Sequence, residues 1–161
     1  MTYSPQDYLD QFIIPAARAL NVYTLPHLQI GFGTGAQESG FQDIDQIGGP
    51  AKGPWQMEPA THASLWMNFI AYRPAIKEAL IQILGSEPLP PDPSVLEINL
   101  VYAAAMMFVK YLDSPGAIPI DLDGQAAYYV THYNAGGKAT TREYIDHWNQ
   151  FAPMVTFPSF E

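Results

Sequence analysis

The chain has 161 residues, which is the size of one domain, and 48% of them are hydrophobic, which is enough for an ordinary core. Sixteen acidic against seven basic side chains leave a net charge of −9, which argues against binding to nucleic acid or to anionic membranes. The absence of cysteine excludes disulfides, thiolate zinc sites and thiol nucleophiles.

The chain also lacks the patterns of a membrane span or a leader. No apolar run approaches the roughly 18 residues that a membrane-spanning helix needs. The first twenty residues lack a basic start and contain Asp7, Asp10 and Pro15, so they do not predict a secretory signal peptide. We expect a single domain over residues 1–161, with no membrane insertion.

Most of the chain shows the spacing of apolar residues that predicts helices. Ser4 and Pro5 are a plausible cap and first turn, Pro59 is a typical first helical residue, and Gly85 is a typical stop. Residues 94–112 are the longest apolar segment, and their small alanines suit a central helix against which others pack closely. The predicted helices span residues 6–20, 27–41, 59–70, 74–84, 94–112, 123–134 and 139–151.

Two segments depart from simple helical patterns. Residues 42–58 carry three glycines and two prolines around short apolar pieces, which predicts an irregular loop or a small β-hairpin on one wall of a cleft. The predicted helix 27–41 contains Gly31, Gly33 and Gly35, and each costs about 0.8–1 kcal/mol relative to alanine. Such a cost indicates close backbone packing or a functional geometry. The fold class expected is mostly α.

Three patterns resemble known motifs but lack their context. Residues 31–36 match G-x-G-x-x-A, yet no alternation of strands and helices surrounds them, as dinucleotide binding requires. Ser39 lacks the first glycine of a nucleophile elbow. The histidines show no zinc-binding spacing; they are His27, His62, His132 and His147. We expect no metal ion and no cofactor.

Three short polar segments remain as candidates for a site. Glu38 ends a glycine-rich apolar segment, where a half-buried carboxyl could hold a proton near neutral pH, although a solvated glutamate at a helix end is the alternative. Residues 53–61 offer a rigid loop with the amide of Gln56, or simply a helix start. Tyr133 and Asn134 offer a phenol and an amide before a Gly-Gly turn, or simply the end of a helix.

Together and in this order, the three segments resemble the soluble lytic transglycosylases of the lysozyme-like superfamily, which cleave the glycan strands of bacterial peptidoglycan. The family carries Glu-Ser-x-Phe, then Gly-Leu-Met-Gln-x-Met-Pro-x-Thr, and later Ala-Tyr-Asn-Ala-Gly. A weaker match is Asn99, whose family counterpart begins a central helix. The matching positions are Glu38, Ser39 and Phe41; Gly53, Gln56, Pro59 and Thr61; and Tyr133, Asn134, Ala135 and Gly136.

The resemblance implies a lysozyme-like fold, a bundle of helices around a central helix with a glycan cleft. It implies cleavage of the β-1,4 bond between N-acetylmuramic acid and N-acetylglucosamine, with Glu38 as general acid and then base and a 1,6-anhydro product. Substrate contacts are expected from Ser39, Gln56, Tyr133 and Asn134. No cofactor is implied.

Two departures from the family motif leave alternatives open. Trp55 replaces a methionine, and its indole could stack on a sugar face or fill the core. Glu58 replaces another methionine, and it could be a second carboxylate that activates water, as in a hydrolytic lysozyme, or an exposed glutamate at the helix start. Asp43 or Asp45 could also serve as that second carboxylate.

The partner that the resemblance implies is the peptidoglycan glycan strand. An acidic protein gains no electrostatic steering toward an anionic wall polymer. We therefore expect delivery by a bacteriophage particle or lysis system, as for a phage lysin or virion-associated enzyme that acts on the cell wall or in the periplasm. A catalytically silent glycan-binding or structural virion protein is the remaining alternative.

Overall fold

The computed structural model describes residues 3–42 and 49–160. Within these ranges the chain is mostly helical and holds no β-strand, which confirms the expected mostly α class. The helices are α1 (Pro5–Asp7), α2 (Ile14–Ala19), α3 (Leu25–Ser39), α4 (Pro59–Asn68), α5 (Pro74–Leu84), α6 (Val95–Ile98), α7 (Leu100–Leu112), α8 (Leu122–Tyr128) and α9 (Thr141–Phe151). Short 3₁₀ turns follow α4 and α9, at Ile70–Tyr72 and Ala152–Met154.

The local start and stop signals act as the sequence predicts. The Ser4 hydroxyl accepts the Asp7 N–H and the Asp7 carboxylate accepts the Ser4 N–H, so α1 begins with a complete capping box. Proline occupies the first position of α4, and Gly85 ends α5 with a positive φ of 66°. None of the helices in the described ranges is both long and apolar enough to cross a bilayer.

Two π-helical segments were not predicted. Tyr8–Ile13 joins α1 to α2, and Tyr129–Tyr133 continues α8. The first lies just before Pro15, whose ring would clash with the carbonyl four residues earlier in a regular α-helix, and a wider turn relieves that clash. The second carries two tyrosines of the candidate site.

The central helix is α7, and it is shorter than predicted. Nine of its thirteen side chains are buried, and it contacts both π-helical segments as well as helices α2 to α6. The expectation of one helix over residues 94–112 is wrong, because the chain breaks at Asn99, whose backbone is extended (φ −115°, ψ 95°). The Asn99 side chain accepts the Tyr102 N–H at 3.0 Å and so caps α7.

The three glycines of α3 allow close packing on three sides. A Cβ at Gly31 would lie 3.0–3.3 Å from side chains of α7, and one at Gly33 would overlap Tyr144 of α9. A Cβ at Gly35 would lie 2.7 Å from the Phe41 ring. Helix α3 is thus wedged between α7 and α9, and its C-terminal turn ends at the edge of the core.

The loop before α4 contains no β-hairpin among its described residues. Its only strand-like feature there is one antiparallel bridge between Lys52 and Met57. Gly53 and Gln56 both have positive φ, 77° and 51°, so the chain reverses within four residues and leaves no room for a longer ladder. The irregular-loop alternative therefore describes residues 49–58, whereas Asp43 and Asp45 lie outside the described residues.

Candidate active site

Glu38 lies in the last turn of α3 and is half-buried. Burial raises the pKa of its carboxyl group from 4.5 to about 7, because the charged form is poorly solvated there. The Tyr129 hydroxyl donates to Glu38 Oε1 at 2.9 Å, and this bond and the positive charge of Lys110 both favour the carboxylate, so they limit the rise. Near neutral pH the group therefore populates both the acid and the carboxylate.

Glu38 faces a polar cleft of about 320 Å³. All three motif segments contribute to its walls, together with the central helix. The polar side chains that line the cleft are Glu38, Gln56, Glu58, Thr61, Lys110, Tyr133 and Asn134. The structure thus brings together Glu38, Gln56, Thr61, Tyr133 and Asn134, which match the family motifs although they lie far apart in the sequence, and it adds Glu58 and Lys110.

A second cavity of about 350 Å³ adjoins the cleft. The two share Thr61 and Lys110, and the second extends between α4 and the end of α7 to Asp113 and His132. We call these two adjoining cavities together the groove, and polar groups line both of them.

A tight turn holds Gln56 at the cleft. The Gly53 carbonyl accepts the Gln56 backbone N–H at 3.0 Å and its side-chain Nε2–H at 2.7 Å. A Cβ at Gly53 would lie 2.6 Å from the Leu96 carbonyl oxygen, so only glycine fits there. A non-glycine residue with positive φ, as at Gln56, is strained and is typical of functional sites.

Trp55 belongs to the core and not to the cleft. Its side chain is 1% exposed, and the indole N–H donates to the Gly31 carbonyl at 3.0 Å. The edge of the ring lies beside Gly35, where a Cβ would come 3.1 Å from the indole nitrogen. Of the two interpretations of Trp55, the structure supports the one that fills the core, and it does not place the indole where a sugar could stack.

Tyr133 connects the second and third motif segments. Its buried hydroxyl donates to the Trp55 carbonyl at 2.6 Å, while its ring lies against the cleft. Asn134, which follows the π-helical segment, accepts the Ala139 N–H at 3.2 Å through its side-chain oxygen and also lines the cleft. The Tyr133 hydroxyl therefore holds the loop that carries Trp55, and the Asn134 amide lies at the cleft.

Ser39 and Glu58 occupy different surroundings. The Ser39 hydroxyl donates to the Gly35 carbonyl and accepts the Phe41 N–H, so it stabilises the end of α3, and it is not among the described residues that line the cleft. Glu58 is exposed at the N-cap position of α4 and makes no side-chain capping bond, yet it lines the cleft. The structure therefore places Glu58 at the start of α4 and on the wall of the cleft, and a role in activating water stays a prediction.

Sequence reasoning missed Lys110 and Tyr129. Lys110 Nζ donates to the Tyr133 carbonyl at 2.6 Å and lies 4.2 Å from the centre of the Tyr133 ring. Its signal was available, because it is the one charged residue of α7, and a lysine in a buried helix needs a partner. Tyr129 carried no such signal. Tyr128 is an identical side chain next to it in the sequence, so nothing in the sequence distinguishes the tyrosine that contacts Glu38 from its neighbour.

Among the described residues, no three histidine, aspartate or glutamate side chains form a group that could hold a metal ion. Comparisons of the chain with protein-family models, with curated proteins and with solved structures found no match. The resemblance to the lytic transglycosylases therefore stays a prediction from the three motif segments.

Proposed function

We propose that this protein is a peptidoglycan lytic transglycosylase that cleaves the β-1,4 bond between N-acetylmuramic acid and N-acetylglucosamine. The observation that carries the proposal is Glu38, a half-buried carboxyl with a pKa near 7 in a cleft lined by all three motif segments. A group whose pKa lies near the working pH serves best as both proton donor and proton acceptor.

The reaction then follows in two proton transfers. Protonated Glu38 donates its proton to the glycosidic oxygen as the bond breaks with oxocarbenium character, and the acetamido group of the substrate stabilises C1. The Glu38 carboxylate next accepts the proton of the C6 hydroxyl, and O6 bonds to C1 to close the 1,6-anhydro ring. The Tyr129 hydroxyl, which donates to Oε1, stabilises the carboxylate between the two steps.

The groove suits a chain of sugars. Its two adjoining cavities share Thr61 and Lys110, so a glycan strand could lie across both. Gln56 and Asn134 offer amide groups for the hydroxyl and acetamido groups of the sugars. The net charge of −9 provides no attraction to an anionic wall, which is why delivery by a phage particle or lysis system is part of the proposal.

Hydrolysis is the second candidate, because Glu58 lines the same cleft as Glu38. A carboxylate that activates water from the opposite face of the sugar requires the two carboxyl groups to be about 6.5–9.5 Å apart. The product would then carry a reducing end whose oxygen comes from solvent, whereas the intramolecular reaction takes its oxygen from C6.

Mass spectrometry of muropeptides released from purified peptidoglycan in ¹⁸O-labelled water tests both candidates. We expect 1,6-anhydro ends without ¹⁸O from the wild type and from Glu58→Gln. Glu38→Gln should lower release by about 10²–10⁴-fold, and Glu87→Gln, which alters an exposed glutamate, is the matched control.

Each contrary result has a definite meaning. Activity of Glu38→Gln above about a tenth of wild type would remove Glu38 from the mechanism. Reducing ends that contain ¹⁸O, lost in Glu58→Gln, would establish the hydrolase. No release by any form would leave a silent glycan-binding or structural protein.

A further inference from the structure

Lys110 is a cation placed among acidic and aromatic groups at the centre of the groove. It is the only positively charged side chain among the described residues that line the cleft, and it lines the adjoining cavity as well. It rises from α7, the most deeply buried helix, and is itself half-buried. A lysine in such a place loses hydration, so the protein must gain from its charge.

The ammonium group is only partly used by the protein. One N–H donates to the Tyr133 carbonyl at 2.6 Å, and Nζ lies over the Tyr133 ring. No carboxylate oxygen of the described residues lies within 4.0 Å of Nζ. Lys110 therefore acts on the carboxylates of the cleft across a gap rather than in a direct ion pair.

A short chain of contacts links Lys110 to Glu38. Lys110 holds the carbonyl at the end of the π-helical segment Tyr129–Tyr133. The Tyr129 and Tyr133 rings stack at 5.9 Å with an angle of 21° between their planes. The Tyr129 hydroxyl in turn donates to Glu38 Oε1. Moving the segment would move the hydroxyl away from the carboxyl group.

We propose that Lys110 is a positioning residue for Glu38, which holds the segment Tyr129–Tyr133 against the carboxyl group and stabilises its ionised form. The inference deepens the proposed function, and only the kinetic part of its test rests on that function. In the reaction, Lys110 would lower the free energy of the Glu38 carboxylate in the interval between the two proton transfers.

The other groups around Glu38 do not supply this charge. Tyr129 and Tyr133 face it from the π-helical segment as neutral phenols, since burial raises the pKa of both hydroxyls above the usual value. Glu58 adds negative charge beside Lys110. His147 of α9 bonds to the neighbouring Gln37 at 2.6 Å. Lys110 is therefore the described residue whose charge favours the Glu38 carboxylate, and it lowers the pKa of that group.

The test follows the Glu38 carboxyl carbon by NMR in ¹³C-glutamate-labelled protein, with the signal assigned by its loss in Glu38→Gln. Lys110→Gln keeps an N–H donor for the Tyr133 carbonyl but removes the charge, Lys110→Met removes both, and Lys110→Arg keeps both. Lys77→Met, at an exposed lysine of α5, is the control.

We expect the Glu38 titration midpoint to rise by about 1 pH unit in Lys110→Gln and Lys110→Met, the low end of the effect of a nearby opposite charge. Lys110→Arg and Lys77→Met should keep the wild-type midpoint. A folded Lys110→Gln with the wild-type midpoint would overturn the charge role. A rise in Lys110→Met alone would do the same, because it would assign the effect to the hydrogen bond.

Wild-type protein provides a second measurement if the Lys110 variants fail to fold. The Lys110 ¹³Cε signal should show a step at the Glu38 midpoint, and this step should vanish in Glu38→Gln. Its absence from wild type would overturn the proposal. The kinetic test follows the rate of glycan cleavage as a function of pH. In Lys110→Gln the fall in rate at alkaline pH should shift to higher pH by as much as the NMR midpoint does. An unchanged pH–rate profile would contradict the catalytic role. If no glycan is cleaved, the proposed function fails while the NMR result stands.

Discussion

Replacing Glu38 by glutamine should remove a pH-dependent destabilisation of the folded protein. Burial raises the pKa of the Glu38 carboxyl from 4.5 to about 7. Because this value lies above that of the unfolded chain, the unfolded chain loses its proton first as the pH rises. Ionisation therefore favours unfolding, beginning near pH 4.5 and reaching its full effect above about pH 7.

The magnitude follows from the size of that rise. At about 1.36 kcal/mol per pH unit, the folded wild type should lose up to about 3 kcal/mol relative to the variant between pH 4 and pH 8. Glutamine has nearly the same shape, and its carbonyl can still accept the hydrogen bond of the Tyr129 hydroxyl. The comparison therefore isolates the charge, since every other titrating group is common to both proteins.

Urea denaturation of wild type and Glu38→Gln at about pH 4 and pH 8 provides the measurement. Between pH 4 and pH 8, the free energy of unfolding of wild type should fall by about 2–3 kcal/mol relative to that of Glu38→Gln. The two proteins should have equal m-values. Glu87→Gln, at an exposed glutamate, should show a difference that stays within about 0.5 kcal/mol. If the Glu38→Gln difference also stays within that margin, the carboxyl is well hydrated and the argument from burial is wrong.

Three further predictions concern the aromatic residues around the site. Tyr129→Phe removes the hydrogen bond that favours the Glu38 carboxylate, so the pKa of Glu38 should rise further. An NMR titration of the Glu38 carboxyl carbon measures this, and an unchanged midpoint would count against the contact. Trp55→Ala should lower the free energy of unfolding by about 3–5 kcal/mol in urea, because the indole is buried and bonded to the Gly31 carbonyl; a variant of wild-type stability with weakened glycan binding would instead place the ring in the cleft. Tyr144→Phe should leave the free energy of unfolding unchanged or raise it. Among the described residues the buried Tyr144 hydroxyl has no hydrogen-bond partner, and such a group costs about 1–3 kcal/mol. A loss above about 1 kcal/mol in thermal denaturation would show that the hydroxyl has a partner.

The helices could be predicted from the sequence because their signals are local. A serine cap at Ser4, proline at Pro59 and glycine at Gly85 act through bonds within one turn, and the structure confirms each of them. The same kind of signal is ambiguous at Asn99, because an asparagine inside an apolar run can continue a helix or cap a new one. Its contacts with the rest of the core favour the cap, and the predicted single helix over residues 94–112 was therefore too long.

The glycines of α3 show where local signals end. The sequence indicated that Gly31, Gly33 and Gly35 allow a close approach, but it could not indicate what approaches. In the structure α7 approaches Gly31, α9 approaches Gly33, and the rings of Phe41 and Trp55 approach Gly35. Trp55 is buried against this face of α3 and bonds to the Gly31 carbonyl, although its place beside Gln56 in the motif was equally compatible with a sugar-binding role.

For the candidate site, the sequence by itself determined which carboxyl group to examine, because Glu38 ends an apolar helix within a recognisable motif. The tertiary structure decided its chemistry. Tyr129 contacts Glu38 from 91 residues along the chain, and Lys110 reaches the same cleft from the central helix. The pKa of a carboxyl group depends on how much water reaches it and which charges lie within a few ångströms, and both are set by distances in space that sequence spacing does not encode.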